Sequence, residues 1–271
     1  MSALKFKLKQ ATTQRIDCSL LTVDHLQGKS AAEIAKIALP IGNTTVQAGD
    51  VFKITGREIS KIVFVNDSTK LDRIGAAMTQ GEIVIEGNCG DYVGLGMRGG
   101  AIFAKASSGI FTACGMRGGS IHVNGNAGDY LGGGLPGERR GMFGGLVLVR
   151  GNVGDRVGDQ MRRGMILVEG NVGSYACSRM SGGTVAALGE VGAFAGFGMK
   201  RGTLIVQNLP RQLPVTFNDC GEHALSFLTL MLAYWRALDT RFANIDIPHN
   251  RVRRWMGDLA NVGRGEILVT G

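Results

Sequence analysis

Proline is scarce in this chain, five residues in 271 against forty-three glycines. Glycine this abundant, without proline or a Gly-X-Y period, excludes a collagen-like or Pro-rich chain. Long apolar runs are missing too. The longest, ALSFLTLMLAYW (224–235), falls short of the roughly 20 residues that cross a bilayer. The N-terminus, MSALKFKLKQ, lacks the apolar stretch of a secretory signal. The five cysteines (Cys18, Cys89, Cys114, Cys177, Cys220) are odd in number and never closely spaced. That spacing excludes a disulfide framework and a Cys-rich metal or iron–sulfur site, and the expected setting is cytoplasmic with reduced thiols. The four histidines (His25, His122, His223, His249) follow no HxH or HExxH spacing, so surface or satisfied core positions are expected.

What is present is a repeat. GMRGG occurs at 96–100 and again at 115–119, with related stretches at 161–164, 180–183 and 199–202. The last glycines of these stretches, with Gly81 and Gly145, mark a phase: Gly81, Gly100, Gly119, Gly145, Gly164, Gly183 and Gly202. The steps are 19, 19, 26, 19, 19 and 19 residues, the long one containing LPGERRG, which reads as a loop insertion. Apolar residues fall two and four places after the marker, as in Ile83/Ile85, Ile121/Val123, Val147/Val149 and Ile166/Val168. An aromatic recurs at Tyr92, Phe111, Tyr130, Tyr175 and Phe194, and a methionine at Met78, Met97, Met116, Met142, Met161, Met180 and Met199.

A short period-two strand, a glycine-rich bend and a restart every 19 residues describe one turn of a stacked solenoid. The reading is all-β: a right-handed parallel β-helix with the methionines as an internal ladder. Asn88, Asn126, Asn152 and Asn171 share a phase and are candidates for a stacked amide ladder. Residues 1–60 are read as an N-terminal cap mixing strand and a short helix (SAAEIAKIAL), 61–208 as the coils, and 209–271 as a capping and docking extension. The first coil, KIVFVNDSTKLDRIGAAMTQG, carries two extra residues. The extension is predicted to hold a helix from about 222 to 238, with Asp219 as N-cap and Glu222 completing a capping box.

Chemistry is harder to find. GLGMRG (94–99) matches GxGxxG, but no helical period follows, so these are read as corner glycines rather than a dinucleotide site. Asp91, Asp129 and Asp155 share a phase, the pattern of a polysaccharide-acting β-helix enzyme, and this is the enzyme alternative. No catalytic residue and no metal ligand is assigned. The net charge is +8, and the basic residues are in phase. Arg98, Arg117, Arg162 and Lys200 hold one place in their units, Arg163 and Arg201 sit beside them, and Arg139 and Arg140 lie in the insertion. The plain reading is a solvated basic face; the functional one is a row for an anionic cofactor or an acidic partner surface. Without interleaved exposed aromatics or a known binding module, nucleic acid is not expected.

GEIVIEGNCGDYVGLGMRGG (81–100) and SIHVNGNAGDYLGGGL (120–135) resemble the glycine-rich β-helix of two groups. These are the C-terminal domain of the large glutamate synthase subunit and the C subunit of formylmethanofuran dehydrogenases. The ending RWMGDLANVGRGEILV (254–269) and the opening LTVDHLQGKSAAEIAKIALPIGN (21–43) resemble the second group, in particular the C subunit of the bacterial formyltransferase/hydrolase complex. The resemblance implies a non-catalytic member of an obligate hetero-oligomer, alongside an amidohydrolase-like A subunit, a B subunit and a formyltransferase D subunit. It implies transfer of formyl from tetrahydromethanopterin to a furan cofactor, methylofuran or methanofuran, with a polyglutamyl tail, and hydrolysis to formate. No cofactor is implied on this chain alone, and no membrane contact. The alternative is the C subunit of a molybdenum or tungsten dehydrogenase, with its metals on other subunits.

Overall fold

The computed structural model describes residues 2–66 and 68–271. The N-terminal part runs β1 (Ala3–Leu8), β2 (Ile16–Asp17), α1 (Val23–Leu26), α2 (Ala31–Ala35), β3 (Ala38–Ile41), β4 (Thr44–Gln47), α3 (Ala48–Val51) and β5 (Phe52–Thr55). The glycine-rich part supplies β6 (Glu58–Val65), β7 (Leu71–Asp72), β8 (Glu82–Glu86), β9 (Ala101–Ala104), β10 (Ser120–Val123), β11 (Phe143–Val149), β12 (Arg163–Val168), β13 (Ser181–Ala187) and β14 (Arg201–Val206). The tail adds β15 (Asn218–Ala224), α4 (Phe227–Arg236), β16 (Arg251–Gly257) and β17 (Arg264–Val269). The regular structure is mostly strand, and no helix among the described residues is long and apolar enough to cross a membrane.

Strands β8 to β14 pair in parallel and in sequence order. Ile83, Ile102, Ile121, Val147, Ile166, Val185 and Leu204 lie over one another, each fully buried. A second parallel ladder of single bridges links Ser108, Ala127, Val153, Val172 and Val191. The 26-residue step keeps this register, so seven residues within 133–141 are a true insertion. The N-terminal residues extend both ladders: β1 stacks on β6 (Leu4↔Ile62) and β2 on β7 (Ile16↔Leu71). The two extra residues of the first unit fall between Val65 and Leu71, because β6 pairs with β8 at a step of 21 whereas Gly90 N–H donates to Leu71 O at 19. Asp67, in that stretch, lies outside the described residues.

The repeated pentapeptide has a packing reason. The seven methionines of the repeat phase are fully buried. In six of them the methyl lies against the place a Cβ of the next unit's marker would take: a Cβ on Gly119 would lie 2.8 Å from Met97 Cε, and one on Gly183 2.8 Å from Met161 Cε, while Met199 crowds Gly265 through Cγ and Sδ. Gly119 and Gly183 also hold φ of 85° and 98°, left-handed values that favour glycine. Methionine and glycine are therefore one device, written once per unit.

The asparagines form a ladder of side chain to backbone. Asn88 Oδ1 accepts from Ser107 N–H, Asn126 Oδ1 from Asn152 N–H, Asn152 Oδ1 from Asn171 N–H and Asn171 Oδ1 from Glu190 N–H. Where a rung lacks asparagine, Ser107 Oγ takes over and accepts from Asn126 N–H. A short carboxamide oxygen thus satisfies a corner N–H that the ladders leave open.

Two sequence expectations fail locally. The helix of SAAEIAKIAL stops at Ala35, although its Ser30–Glu33 capping box forms, because residues 38–41 pair with β4. In the tail, residues 218–224 are strand, and α4 starts at Phe227 after Ser226, with no side-chain cap. Asp219 is no N-cap; its carboxylate takes Arg253 of β16, and Glu222 lies in register with Arg253. Sheet pairing between an acidic and a basic strand outweighs a local capping signal. The helix itself exists, shorter than expected. Its Leu228, Met231, Leu232 and Trp235 pack on the outer sheet face, against Leu148, Leu167, Ala186, Ile205 and Leu268.

Candidate functional site

The residues of the enzyme alternative are committed to structure. Asp91 Oδ1 accepts from Ile110 N–H, Asp129 Oδ1 from Asp155 N–H and Asp155 Oδ1 from Ser174 N–H, at 2.7 to 3.0 Å. They are the acidic counterpart of the asparagine ladder, and Arg15 pairs with Asp72 and Asp91 at its start. The histidines are dispersed. His25 Nδ1 meets Thr22 Oγ1 at 2.8 Å, His122 stacks on Phe103 at 4.9 Å, and His223 Nε2 faces Cys220 O at 3.0 Å. Burial, then the nearby Arg150, hold His122 below the usual imidazole range. His249 lies in a short 3-10 turn at φ 55°. Among the described residues, no three His, Cys, Asp or Glu come together as a metal could use them. Gly94 and Gly96 of GLGMRG are left-handed corners leading to β9, not to a helix. Burial pushes the Cys89 and Cys114 thiols up to about 12 and those of Cys18 and Cys177 higher still; only Cys220 is exposed.

The basic residues behave differently. A cleft of about 1710 Å³ opens along the corner face between two loops, the 134–139 part of the insertion and the turn around Asp258–Asn261. It is lined by Arg139, Arg162, Arg163, Lys200 and Arg201 of the expected row, together with Arg179, which the sequence did not single out. Arg98, Arg117 and Arg140 lie outside the cleft lining. The eight expected residues are all exposed, and among the described residues none of them forms an ion pair.

The row is not an unbroken stack of charge. Its successive rungs are Arg98, Arg117, Phe143, Arg162, Ser181 and Lys200, so only the first two cations are one rung apart. Arg117, Arg140 and Arg162 instead surround the Phe143 ring, with guanidinium carbons 5.9, 5.8 and 5.6 Å from its centroid. The ring face attracts each cation and spaces them apart. Arg264 of β17 lies in register beside Arg201 and lengthens the basic face. Sequence phase could not reveal it, because residues 207–263 separate β14 from β17 and break the 19-residue clock.

Two buried acids hold the cleft's shape. Asp159, fully buried, accepts from Ser178 Oγ at 2.6 Å and from Arg179 through Nε and Nη2 at 3.0 and 2.5 Å. Asp258 ties the turn: it accepts from Ala260 N–H at 2.9 Å and from Gly198 N–H at 3.0 Å. Burial alone would raise its carboxyl, but these bonds bring it below the usual aspartate range. A third feature, an aromatic row, reaches the cleft only through Phe111 and Tyr130. Tyr92, Phe111 and Tyr130 stack at 5.4 and 4.8 Å, Tyr175 and Phe194 at 5.2 Å, and Arg156 fills the gap between the stacks. Arg73 and Arg156 occupy the aromatic phase, and all seven residues hold φ near 60°.

Comparison with known proteins gives this face a context. The GXGXG-motif family matches residues 73–221. The C subunit of the formyltransferase/hydrolase complex Fhc of Methylorubrum extorquens is 38% identical over 90 residues, 33% of each chain. The C subunit of the tungsten-containing formylmethanofuran dehydrogenase 2 of Methanococcus maripaludis is 32% identical over 94 residues, 34% of this chain and 35% of that one. These aligned segments span about a third of the relatives' length. A structural match covers far more: a chain in the crystal structure of the formyltransferase/hydrolase complex (FhcABCD) from Methylorubrum extorquens with methylofuran superposes with a TM-score of 0.91, at 36% identity, over 98% of this chain and 99% of that one. The chain belongs to the GXGXG-motif family and, within it, to the C subunits of formyltransferase/hydrolase and formylmethanofuran dehydrogenase complexes.

Proposed function

We propose that this chain is a non-catalytic scaffold subunit of a complex that moves formyl groups on a furan cofactor, of the formyltransferase/hydrolase type. The observation that carries the reading is the match over 98% of the chain to a component of a four-part complex crystallised with methylofuran. In this reading residues 61–208 wind as a right-handed parallel β-helix, residues 1–60 cap one end and residues 209–271 cap and dock the other. The aspartates and asparagines that could have served chemistry serve the rungs, which agrees with catalysis residing on partner subunits. The basic face meets something anionic, either the cofactor or an acidic partner surface.

A dehydrogenase role is the second reading, favoured by 32% and 34% identity to tungsten- and molybdenum-containing relatives over about a third of each chain. Tagging this chain in its native host and identifying what co-purifies decides between the two. A formyltransferase and an amidohydrolase-like protein without molybdenum or tungsten is the expected outcome; either metal with iron–sulfur partners would establish the dehydrogenase. Recovery of the chain alone, with formyl transfer or hydrolysis of its own, would overturn the scaffold reading.

A further inference from the structure

The α4 helix covers only half of the outer sheet face. Its seat is one row of outward residues, Leu148, Leu167, Ala186, Ile205 and Leu268, one on each strand from β11 to β14 and on β17. In register, the same row runs on past Leu148 as His122, Phe103, Val84, Val63 and Lys5. The chain does not carry its own helix onto these rungs. Arg150 holds Asp239 at 3.0 Å, and Glu169 accepts from Arg241 N–H at 2.7 Å, so the segment after α4 turns back at β11 and β12. Val63, Val84 and Phe103 join neither the interior cluster nor the one under α4. What remains is a narrow apolar row between polar borders, with Glu82 and Ser120 on one side and Glu86 and Lys105 on the other. That pattern matches the stripe of an amphipathic helix.

The far end of the row is basic. Lys7 and Lys53 are cross-strand partners, and Lys5 lies two residues away on the same face. Like charges set opposite one another destabilise a sheet, and an anion laid over them would relieve this. All three lysines are exposed, and among the described residues none forms an ion pair. The nearby acids do not serve them. Glu82 pairs with Lys61 at 2.6 Å, and Glu58 accepts from Ser60 Oγ at 3.1 Å. Glu86 stands two rungs from Lys7, about 10 Å away.

We propose that the rungs from β1 to β10 seat one amphipathic helix of a partner protein, with its apolar stripe on Val63, Val84, Phe103 and His122 and its carboxylates over Lys5, Lys7 and Lys53. The existence of a partner rests on the scaffold reading above; the seat and its chemistry rest on the face itself. Four steps of about 4.8 Å span about 19 Å, or roughly 13 residues of helix at 1.5 Å each. The ten residues of α4 serve a row of the same length. A second copy of this chain fits poorly. Its α4, FLTLMLAYWR, brings no acid to the lysines, and among the described residues no other α-helix exceeds five residues.

The test uses the complex isolated through a tag on this chain, with p-benzoylphenylalanine in place of Phe103. Illumination should join this chain to a partner protein. Mass spectrometry of the joined peptide should show apolar residues at every third or fourth place and several Asp or Glu at one end. In separate complexes, Lys5→Glu, Lys7→Glu and Lys53→Glu together should lower retention of that partner about fivefold or more at roughly 0.15 M salt, and Phe103→Asp should do the same. Lys29→Glu, Lys36→Glu and Lys70→Glu together make the same charge change off this face and should lower it less than about twofold, with circular dichroism confirming that every variant folds. Joining to a second copy of this chain, joining to a segment without acids, or equal losses in the lysine variant and its control each overturn the proposal. Recovery of the chain alone overturns the scaffold reading and the seat with it. An intact complex in which position 103 joins nothing overturns the seat only, so the two failures are distinguishable.

Discussion

Methionine and glycine are coupled across units, and that coupling sets how single substitutions behave. A Cβ on Gly164 would lie 2.8 Å from both Gly145 O and Met142 Cε, at a backbone φ of 98°. The methyl could shift; the carbonyl and the φ could not. Gly164→Ala should therefore destabilise the chain by about 2–4 kcal/mol, the left-handed cost plus overpacking, read as a fall in the urea midpoint. Adding Met142→Ala should not restore the stability, since the backbone terms remain and truncating this fully buried side chain costs about 2–5 kcal/mol of its own. At this scale the sequence was readable: the phase of Met, Gly, Asn and the aromatics predicted which residues face one another. It did not reveal that Arg73 and Arg156 belong to the aromatic row, because an arginine announces a surface. Nor did it reveal that Phe143 interrupts the basic one.

At the level of elements, legibility depended on whether the signal was periodic. The repeated strands and the insertion fell where the 19-residue clock put them. The tail did not: residues 218–224 carry a local helix-start signal yet find β16 as a partner, a contact more than 25 residues away that no local pattern encodes. The α4 helix shows the same limit in reverse. Its apolar excess was visible, and the structure divides it, burying Leu228, Met231, Leu232 and Trp235 while leaving Leu230 77% exposed. Phe227 and Tyr234 are exposed beside it. If this face docks a partner, Leu230→Asp should leave the melting temperature within a few degrees and release the chain from its complex in pull-down; intact assembly would refute the docking role. The turn at Asp258 makes a separate prediction. Its carboxyl is lowered in the folded chain, so the stability it contributes is present above the ordinary aspartate value of 3.8 and is lost as pH falls through the lowered one. Asp258→Asn should cost about 1–2 kcal/mol at pH 7, and the gap to wild type should close below pH 4 in thermal melts.

For the whole molecule, every unit addresses its neighbours through the same few bonds: Asn or Asp oxygen to the next N–H, methionine methyl to the next glycine, ring to ring. Nothing in that scheme counts the units. The chain therefore works as a ruler with divisions of about 4.8 Å, and the separation between whatever sits at its two ends is set by how many repeats lie between them. Removing residues 100–118, one whole division clear of both the insertion and the α4 contact, should leave a folded protein with its two ends about 4.8 Å closer. Removing half a division, residues 100–109, should prevent folding, because it sets side chains meant for the interior against the outside. Complexes that need a different reach between two partner sites can obtain it by whole-repeat gain or loss, with no redesign of either docking surface.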